Sequence, residues 1–298
     1  MTHVLVLTSN PQAGELADDL YRNLRASLAA EFGEAAPPRR LDLDSAAEFL
    51  PGGGDPERLI AFAQTLIGDR KIDVNAVPLA GRRKKLLVAD MESTLIHNEM
   101  LDDIAALLGI GERVATITRR AMNGELDFRA ALAERVGLLK GQPESILEKA
   151  GEGIAAIQGG ATLARTMKAN GALTAIVSGG FTYYTARVRS ALGFDRDYAN
   201  LLEIENGKLK GSVAEPILGR EAKLATLEML AAEIGIGVED AISVGDGAND
   251  LQMLGAAGLG VAFRAKPMVA AQARFRIDHG DLTALLFLQG YTADAFVA

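Results

Sequence analysis

The sequence contains no cysteine, no tryptophan and only 3 histidines among its 298 residues. The absence of cysteine excludes disulfides, thiolate zinc sites and a thiol nucleophile. The histidines, His3, His97 and His279, are too far apart in the chain to form a histidine-rich metal motif. Any metal chemistry in this protein must therefore use carboxylate oxygens.

The chain also has no excess of positive charge and no long apolar run. Its 31 basic and 39 acidic side chains give a formal net charge of −8, which opposes binding to nucleic acid. No window offers about 20 uninterrupted apolar residues for a membrane span, and the N-terminus lacks the basic start and apolar core of a signal peptide. We therefore expect a cytoplasmic protein that binds neither nucleic acid nor membranes. The sequence leaves its oligomeric state open, a homodimer included.

Residues 1–80 are predicted to form a small α+β domain. Apolar runs predict three strands, at 3–8, 40–43 and 72–79. Helical spacing of apolar residues predicts two helices, at 15–32 and 59–67. A basic link at 82–85 then separates this region from a second domain, which we place at 81–298.

Beyond the link, strands alternate with helices, which is typical of a parallel sheet with crossover helices. Short apolar runs mark three of its strands, at Leu86–Ala89, 172–177 and 241–244. Between the first two runs, residues 98–158 have helical periodicity and few strand signals, so they are predicted to form a helical insertion. The sequence therefore predicts an α/β fold.

Polar residues follow directly after these apolar runs. Asp90, Ser178 and Asp246 stand at or just beyond the predicted strand ends. Because the carboxyl ends of parallel strands face one crevice, we expect these residues to converge. Clustered carboxylates repel one another unless a cation lies among them, and a set of oxygen ligands suits Mg²⁺, which completes its shell with water and substrate phosphate.

The same positions provide what phosphoryl transfer needs. Lys223 supplies a compact positive charge, the Ser178-Gly179 turn is expected to open a helix whose amides face an anion, and Asp90 can attack phosphorus. Each feature alone has an ordinary explanation, as a strand-end turn or a solvated helix lysine. Their order on one parallel sheet favours a phosphate-processing site.

Five segments resemble the haloacid dehalogenase superfamily, and within it the enzymes that act on O-phospho-L-serine. The segments are ADMESTLIHNEMLDDIA, RAMNGELDFRAALAERVGLLKG, VSGGFT, AEPILGREAK and VGDGANDLQML. The resemblance covers residues 84–298 and implies a Rossmann-like core with a helical cap at about 98–158. Residues 1–80 resemble the ferredoxin-like, ACT-type modules that precede some bacterial members.

The resemblance implies Mg²⁺-dependent hydrolysis of O-phospho-L-serine through an aspartyl-phosphate, the last step of serine biosynthesis. The implied catalytic residues are Asp90, as nucleophile, and Glu92, as acid and base. The implied metal ligands are Asp90, the backbone carbonyl of Glu92, and Asp246. Phosphate is expected to contact Ser178, Gly179, Lys223 and Asn249, with Asp250 supporting them from behind.

The remaining implied substrate contacts lie on the predicted cap. Glu99 and Arg135 match the pair that holds the ammonium and carboxylate of the substrate, since each carries the complementary charge. Met122 and Phe128 match the apolar lid. From the residues alone, a solvated helix arginine is the preferred interpretation of Arg135, and core packing is the preferred interpretation of Met122 and Phe128.

Position 92 departs from the family pattern, because Glu stands where the family has Asp. The longer side chain shifts the carboxyl by about one carbon–carbon bond, which affects the position of the proton it delivers. An Asp-x-Glu start also resembles a related phosphotransferase that moves the phosphoryl group from phosphoserine to another alcohol. A third alternative is a non-catalytic phosphoserine sensor, although such a protein has no chemical need to retain Asp90, Lys223 and Asp246 together.

Overall fold

The computed structural model describes residues 3–298, except for the side chain of Met122. Its first part, here called the N-terminal module, consists of β1 (His3–Ser9), α1 (Asp18–Phe32), β2 (Glu34–Asp42), β3 (Ala46–Pro51), α2 (Pro56–Ile67) and β4 (Ile72–Pro78). The later strands are β5 (Leu86–Ala89), β6 (Leu173–Phe181), β7 (Arg196–Asn200), β8 (Leu202–Glu205), β9 (Lys208–Val213), β10 (Ala241–Gly245), β11 (Leu259–Phe263) and β12 (Phe275–Ile277). The later helices are α3 (Met100–Leu107), α4 (Gly111–Met122), α5 (Phe128–Gly137), α6 (Ser145–Gly151), α7 (Gly160–Ala169), α8 (Thr182–Leu192), α9 (Arg220–Glu233), α10 (Leu251–Ala256), α11 (Pro267–Ala270) and α12 (Ala284–Leu288).

The N-terminal module is an antiparallel sheet of four strands in the order β2-β3-β1-β4. With its βαββαβ succession of elements this is a ferredoxin-like arrangement, as predicted. One face of the sheet packs on α1 and α2, where Leu5, Leu24 and Leu59 are buried in one apolar cluster. Asp55 caps α2 by accepting the Arg58 N–H at 2.9 Å, directly before Pro56 at the first helical position.

Two strands of the module differ from the prediction. The strand expected at 40–43 begins at Glu34 and includes both prolines of that stretch. This strand, β2, lies at the edge of the sheet. A proline, which has no backbone N–H to donate, is tolerated there because one side of an edge strand has no neighbouring strand to bond with. Strand β3 was not predicted, because the charged Glu48 interrupts its short apolar run and its sequence AAEFLP shows no alternation of polar and apolar residues.

The second sheet has six strands in the order β12-β11-β10-β5-β6-β7, and all of its pairings are parallel. The three predicted apolar runs are β5, β6 and β10 at its centre, which confirms the predicted Rossmann-like α/β core. The outer strands β7, β11 and β12 were not predicted, nor was the separate β8-β9 hairpin. Helices α3 to α6 lie between β5 and β6 in the chain and form the expected helical insertion.

The N-terminal module is joined to the core sheet by a buried polar contact. Arg82 pairs with Glu48 of β3, with Nη1 at 2.6 Å from Oε2. The same guanidinium donates to the carbonyl oxygens of Phe287 and Leu288 at the end of α12. This contact fixes the module against the core. Among the helices of residues 3–298, none has the length and apolar character needed to cross a bilayer.

Candidate active site

The predicted convergence of Asp90 and Asp246 at the strand ends is confirmed. Asp90 follows β5 and Asp246 follows β10, and these strands are parallel neighbours. The Asp90 N–H donates to the Val244 carbonyl oxygen at 3.0 Å, which extends the ladder by one residue. Carboxylate oxygens of Asp90, Asp246 and Asp250 all lie within 4.8 Å of one another, and all three residues are buried.

Glycines shape the turn that carries Asp246 and Asp250. A Cβ on Gly245 would collide with the Asp250 carboxyl group, so only glycine allows the carboxylate to lie against the strand end. The Gly247 N–H donates to Asp250 Oδ2 at 2.9 Å and holds that carboxylate in place. The turn therefore fixes Asp250 behind the other two carboxylates.

Lys223 lies in the first turn of α9 and reaches the same cluster. Its Nζ is 2.7 Å from Asp90 Oδ1 and 2.6 Å from Asp250 Oδ1, and its side chain is only 2 % exposed. Burial opposes the charge of Lys223, but the two carboxylates outweigh it and raise the pKa of Lys223 above its ordinary value. The ammonium thus stays charged and neutralises part of the carboxylate cluster.

The donor set fits a hard divalent cation such as Mg²⁺. Both oxygens of Asp250 are engaged, by Lys223 and by the Gly247 N–H. The carboxylates of Asp90 and Asp246 remain close together and offer oxygen only, as Mg²⁺ requires. Burial, the largest influence, raises the pKa of Asp246, and the ammonium of Lys266, with Nζ 3.5 Å from Asp246 Oδ2, opposes that rise.

Asp90 is strongly affected by its surroundings. Burial, opposed by Lys223 and reinforced by Asp250, raises its pKa to about 7. Its Oδ1 accepts hydrogen bonds from Lys223 and from the Met91 N–H at 2.8 Å. Any cation placed beside this carboxylate favours its ionised form, which is the form that can act as a nucleophile.

Glu92 lies close to Ser178 at the end of β6. Its Oε1 accepts the Met100 N–H at 2.8 Å, and Oε2 lies 3.0 Å from the position that a Cβ on Gly180 would occupy. Ser178 Oγ is 3.2 Å from that same position. Burial, followed by the nearby Glu99 carboxylate, raises the pKa of Glu92 to about 8. The raised pKa favours the protonated form of Glu92.

The predicted turn at Ser178-Gly179 is wrong. Strand β6 continues through Phe181, and α8 begins only at Thr182. The β6-β7 register shifts between Val177 and Phe181, which accommodates the glycine pair without ending the strand. Ser178 Oγ accepts the Gly180 N–H at 3.0 Å within this irregular stretch. An anion here would meet the end of a strand and not the first turn of a helix.

The helical insertion contacts the core at the glycines near the site. The first residue of α5, Phe128, lies 3.5 Å from where a Cβ on Gly179 would be and 3.2 Å from the equivalent point on Gly219. A cavity of about 820 Å³ opens beside it, lined from the insertion by Phe128 and Arg135 and from the core by Asn249 and Gly219. The structure thus brings Arg135 and Asn249 to one cavity, although the buried carboxylates are not in its lining.

Glu99 lies at the other side of the insertion, directly before α3. Its Oε1 accepts the Ser93 hydroxyl hydrogen at 2.9 Å. Burial raises the pKa of Glu99, and the charge of Asp246 adds to this rise. The hydrogen bond from Ser93 and the charge of Lys266 oppose it. Within residues 3–298 no hydrogen bond or ion pair joins Glu99 to Arg135. Met122 falls in α4, but its side chain lies outside the described part of the structure.

Two polar residues at the site were not foreseen. Asn200, at the end of β7, donates to the Gly179 and Leu218 carbonyl oxygens and accepts the Leu218 N–H, so it connects the glycines of β6 to the chain before α9. Lys266 pairs with Asp246. No signal in the sequence pointed to Asn200, because the strand that it ends, β7 (RDYAN), has no apolar run and was itself missed. Lys266 was not predicted either, because it follows strand β11, which was also missed.

The pattern of the haloacid dehalogenase-like hydrolase family matches residues 87–255. A phosphoserine phosphatase of Haemophilus influenzae is 48% identical over 203 residues, which make up 68% of this chain and 65% of that relative. The chain therefore spans slightly less than two thirds of that relative's length. A solved HAD family hydrolase from Salmonella enterica serovar Typhi is 30% identical with a TM-score of 0.84, covering 96% of this chain and 98% of that one. A solved phospho-aspartyl intermediate analogue of phosphoserine phosphatase is 41% identical with a TM-score of 0.64, covering 69% of this chain and 98% of that one.

Proposed function

We propose that this chain, which belongs to the haloacid dehalogenase-like hydrolase family, hydrolyses O-phospho-L-serine to L-serine and inorganic phosphate. The observation that carries the proposal is the position of Asp90, a buried carboxylate at a strand end, 2.7 Å from the Lys223 ammonium. A carboxylate in this place serves as a nucleophile, and a fixed cation beside it stabilises the charge of a phosphoryl group in transfer. The substrate is inferred from the relative of Haemophilus influenzae, which is a phosphoserine phosphatase.

In the first step, the Asp90 carboxylate attacks phosphorus and forms an acyl-phosphate bond while the bond between phosphorus and the seryl oxygen breaks. The seryl oxygen leaves with a proton from Glu92 Oε2, which is available because the pKa of Glu92 lies at about 8. The hydrogen bond from the Met100 N–H holds Oε1, so Oε2 is the oxygen that faces Ser178 and Gly180.

In the second step, the ionised Glu92 takes a proton from a water molecule, whose oxygen attacks phosphorus. The bond between phosphorus and the Asp90 oxygen breaks, and inorganic phosphate is released with Asp90 restored as a carboxylate. Glu92 regains its proton from the water, so both groups return to their starting states. The same group therefore acts as acid and then as base.

Phosphate oxygens are assigned to the Lys223 ammonium, the Ser178 hydroxyl, the Gly179 N–H and the Asn249 amide. Asp250 holds the Lys223 ammonium in position before the reaction begins. The ammonium therefore does not have to reorient as charge develops on the phosphoryl group. Mg²⁺, held by Asp90, Asp246 and the backbone carbonyl of Glu92, would neutralise charge on the phosphoryl oxygens and on the carboxylate cluster.

The amino-acid part of the substrate is assigned to the insertion. Arg135 lines the cavity that also reaches Asn249, and its guanidinium suits a carboxylate. Glu99 suits the ammonium. With its two charged groups held by Arg135 and Glu99, the substrate would lie beneath the insertion, with Phe128 excluding water near Gly179.

The decisive experiment measures phosphate and serine released from O-phospho-L-serine, with and without Mg²⁺, and again with a primary alcohol such as glycerol present. Equal amounts of serine and phosphate, unaffected by glycerol, are expected. Glycerol phosphate formed at the expense of free phosphate would identify a phosphotransferase. Binding of phosphoserine without turnover would identify a sensor. Asp90→Asn provides the matched control for contaminating phosphatases.

A further inference from the structure

A second cavity lies where the N-terminal module, the end of the helical insertion and α12 meet. Its volume is about 350 Å³, and it shares no residue with the cavity beside Arg135. The module contributes Asp42 and Ser45, and the core contributes Asp281 and Thr283. Both walls are needed, so the cavity exists because the module is docked on the core.

The polar part of this cavity is acidic. Asp42 and Asp281 line it together with the hydroxyl groups of Ser45, Thr162 and Thr283. Within the described chain, no lysine, arginine or histidine is among the lining residues. The cavity therefore attracts a cation and repels an anion.

Asp281 has an unused acceptor at this point. The residue is 2 % exposed, and its Oδ1 accepts from the Thr283 N–H at 2.9 Å and from the Thr283 hydroxyl at 2.5 Å. No hydrogen bond or ion pair from the described residues reaches Oδ2. Burial, the largest influence, raises the pKa of Asp281, against the Thr283 donors and the more distant charge of Arg264. A buried carboxylate with a free oxygen is stabilised by a cation that binds there.

The cavity also has an apolar part. Phe287 and Phe296 both line it, and their ring centroids are 5.1 Å apart in a tilted arrangement. Aromatic faces of this kind bind apolar groups and also favour a nearby positive charge. The cavity thus combines an acidic wall with an aromatic wall.

We propose that this junction is a binding site for a small organic ammonium ion, with the ammonium group against Asp42 and Asp281 and the apolar body against Phe287 and Phe296. A zwitterionic amino acid is a poorer ligand, because the lining offers no basic side chain for its carboxylate. The site is independent of the proposed phosphatase reaction, so either proposal can fail without the other.

The experiment uses ligand-observed NMR and calorimetry on the full chain, with n-butylamine and benzylamine as probes. Their neutral counterparts, 1-butanol and benzyl alcohol, match them in shape without the charge. Asp42→Asn and Asp281→Asn are each expected to weaken amine binding about tenfold, because each removes a charge-assisted hydrogen bond. Asp44→Asn, an exposed neighbour of Asp42 that is not among the lining residues, is the matched control and should bind as the unmodified chain does.

Two further results distinguish this site from others. Glu99→Gln should leave amine binding unchanged, whereas loss of binding in this variant with retention in Asp281→Asn would place the amine at the candidate active site and overturn the proposal. Equal binding of amine and alcohol, or no amine binding to the unmodified chain at millimolar concentration, would also overturn it. Asp42 is partly exposed and pairs with Ser45, so Asp42→Asn keeps the test valid even if Asp281→Asn fails to fold.

Discussion

Glu92 accepts the backbone N–H of Met100 at 2.8 Å, which ties a carboxyl group at the candidate active site to the first residue of α3. One carboxyl oxygen is therefore fixed by the helical insertion, while the other faces the end of β6. The position of the proton that Glu92 carries thus depends on where the insertion lies.

Glu92→Gln is expected to lower turnover of phosphoserine by about two to four orders of magnitude, because an amide keeps the shape but cannot shuttle a proton. Its amide oxygen can still accept the Met100 N–H, so circular dichroism and thermal unfolding should match the unmodified chain. Glu92→Asp, which keeps a titratable carboxyl, should retain measurable turnover. Full activity in Glu92→Gln would show that the leaving oxygen is protonated by another group.

The pH dependence of kcat/KM is expected to fall on the alkaline side. Because the pKa of Glu92 is raised to about 8, the proton needed for the leaving group is present below that pH and is lost above it. A nearby Mg²⁺ lowers this pKa, so the descending limb should lie at or below pH 8. The residual activity of Glu92→Gln should lack this limb. An unchanged limb in that variant would assign the titration to a different group.

Asp90→Asn is expected to reduce turnover by several orders of magnitude, because the amide is a poor nucleophile and a poor metal ligand. Beryllium fluoride, a phosphoryl mimic, should bind the unmodified chain only with Mg²⁺ present and should not bind this variant. Native mass spectrometry or fluorine NMR can detect the complex. More than about a tenth of the original turnover in Asp90→Asn would contradict a covalent intermediate at this residue.

Lys223→Met is expected to lower the free energy of unfolding by about 3–5 kcal/mol at neutral pH, because it leaves Asp90 and Asp250 as a buried, uncompensated pair. The deficit should shrink as the pH falls, since the carboxylates then take up protons. Urea unfolding at several pH values measures both effects. Lys210→Met is the control, because it removes only an exposed ion pair with Glu203, and exposed ion pairs contribute little to stability. Similar losses of unfolding free energy in the two variants would show that the buried Lys223 contacts contribute no more to stability than an exposed ion pair.

Arg135→Ala is expected to reduce kcat/KM for phosphoserine by at least about tenfold more than for p-nitrophenyl phosphate, which has no carboxylate to hold. Arg120→Ala is the matched control, since Arg120 lies on the same insertion, pairs with Glu134 and is not among the residues that line the cavity. Equal losses on both substrates would give Arg135 a purely structural role.

The sequence by itself determined the central features of the site. Asp90 and Asp246 follow short, fully buried strands, and such strands are recognisable because no charged residue interrupts their mostly apolar sequence. Parallel strands end on one edge, so the convergence of these two residues follows from the fold class alone. The α+β character of the first part likewise followed from its strand and helix patterns, whereas its ferredoxin-like form was implied by the family resemblance.

Other elements carried no readable local signal. The charged Glu48 interrupts the short apolar run of strand β3, and β2 contains prolines that are tolerated only because it lies at an edge. Ser178 and Gly179 have the composition of a turn, but pairing of β6 with β7 keeps them in a strand. In each case the neighbouring elements, and not the local sequence, determine the conformation.

Only the tertiary structure decided which polar groups meet. Lys223 is far from Asp90 in the sequence, yet its ammonium contacts both Asp90 and Asp250, because α9 packs against β5 and β6. The acidic cavity of Asp42 and Asp281 forms across two parts of the chain that no local pattern connects. The local sequence is sufficient to predict the central strands, whereas long-range packing sets the distances between charges, and those distances determine the pKa values and the chemistry.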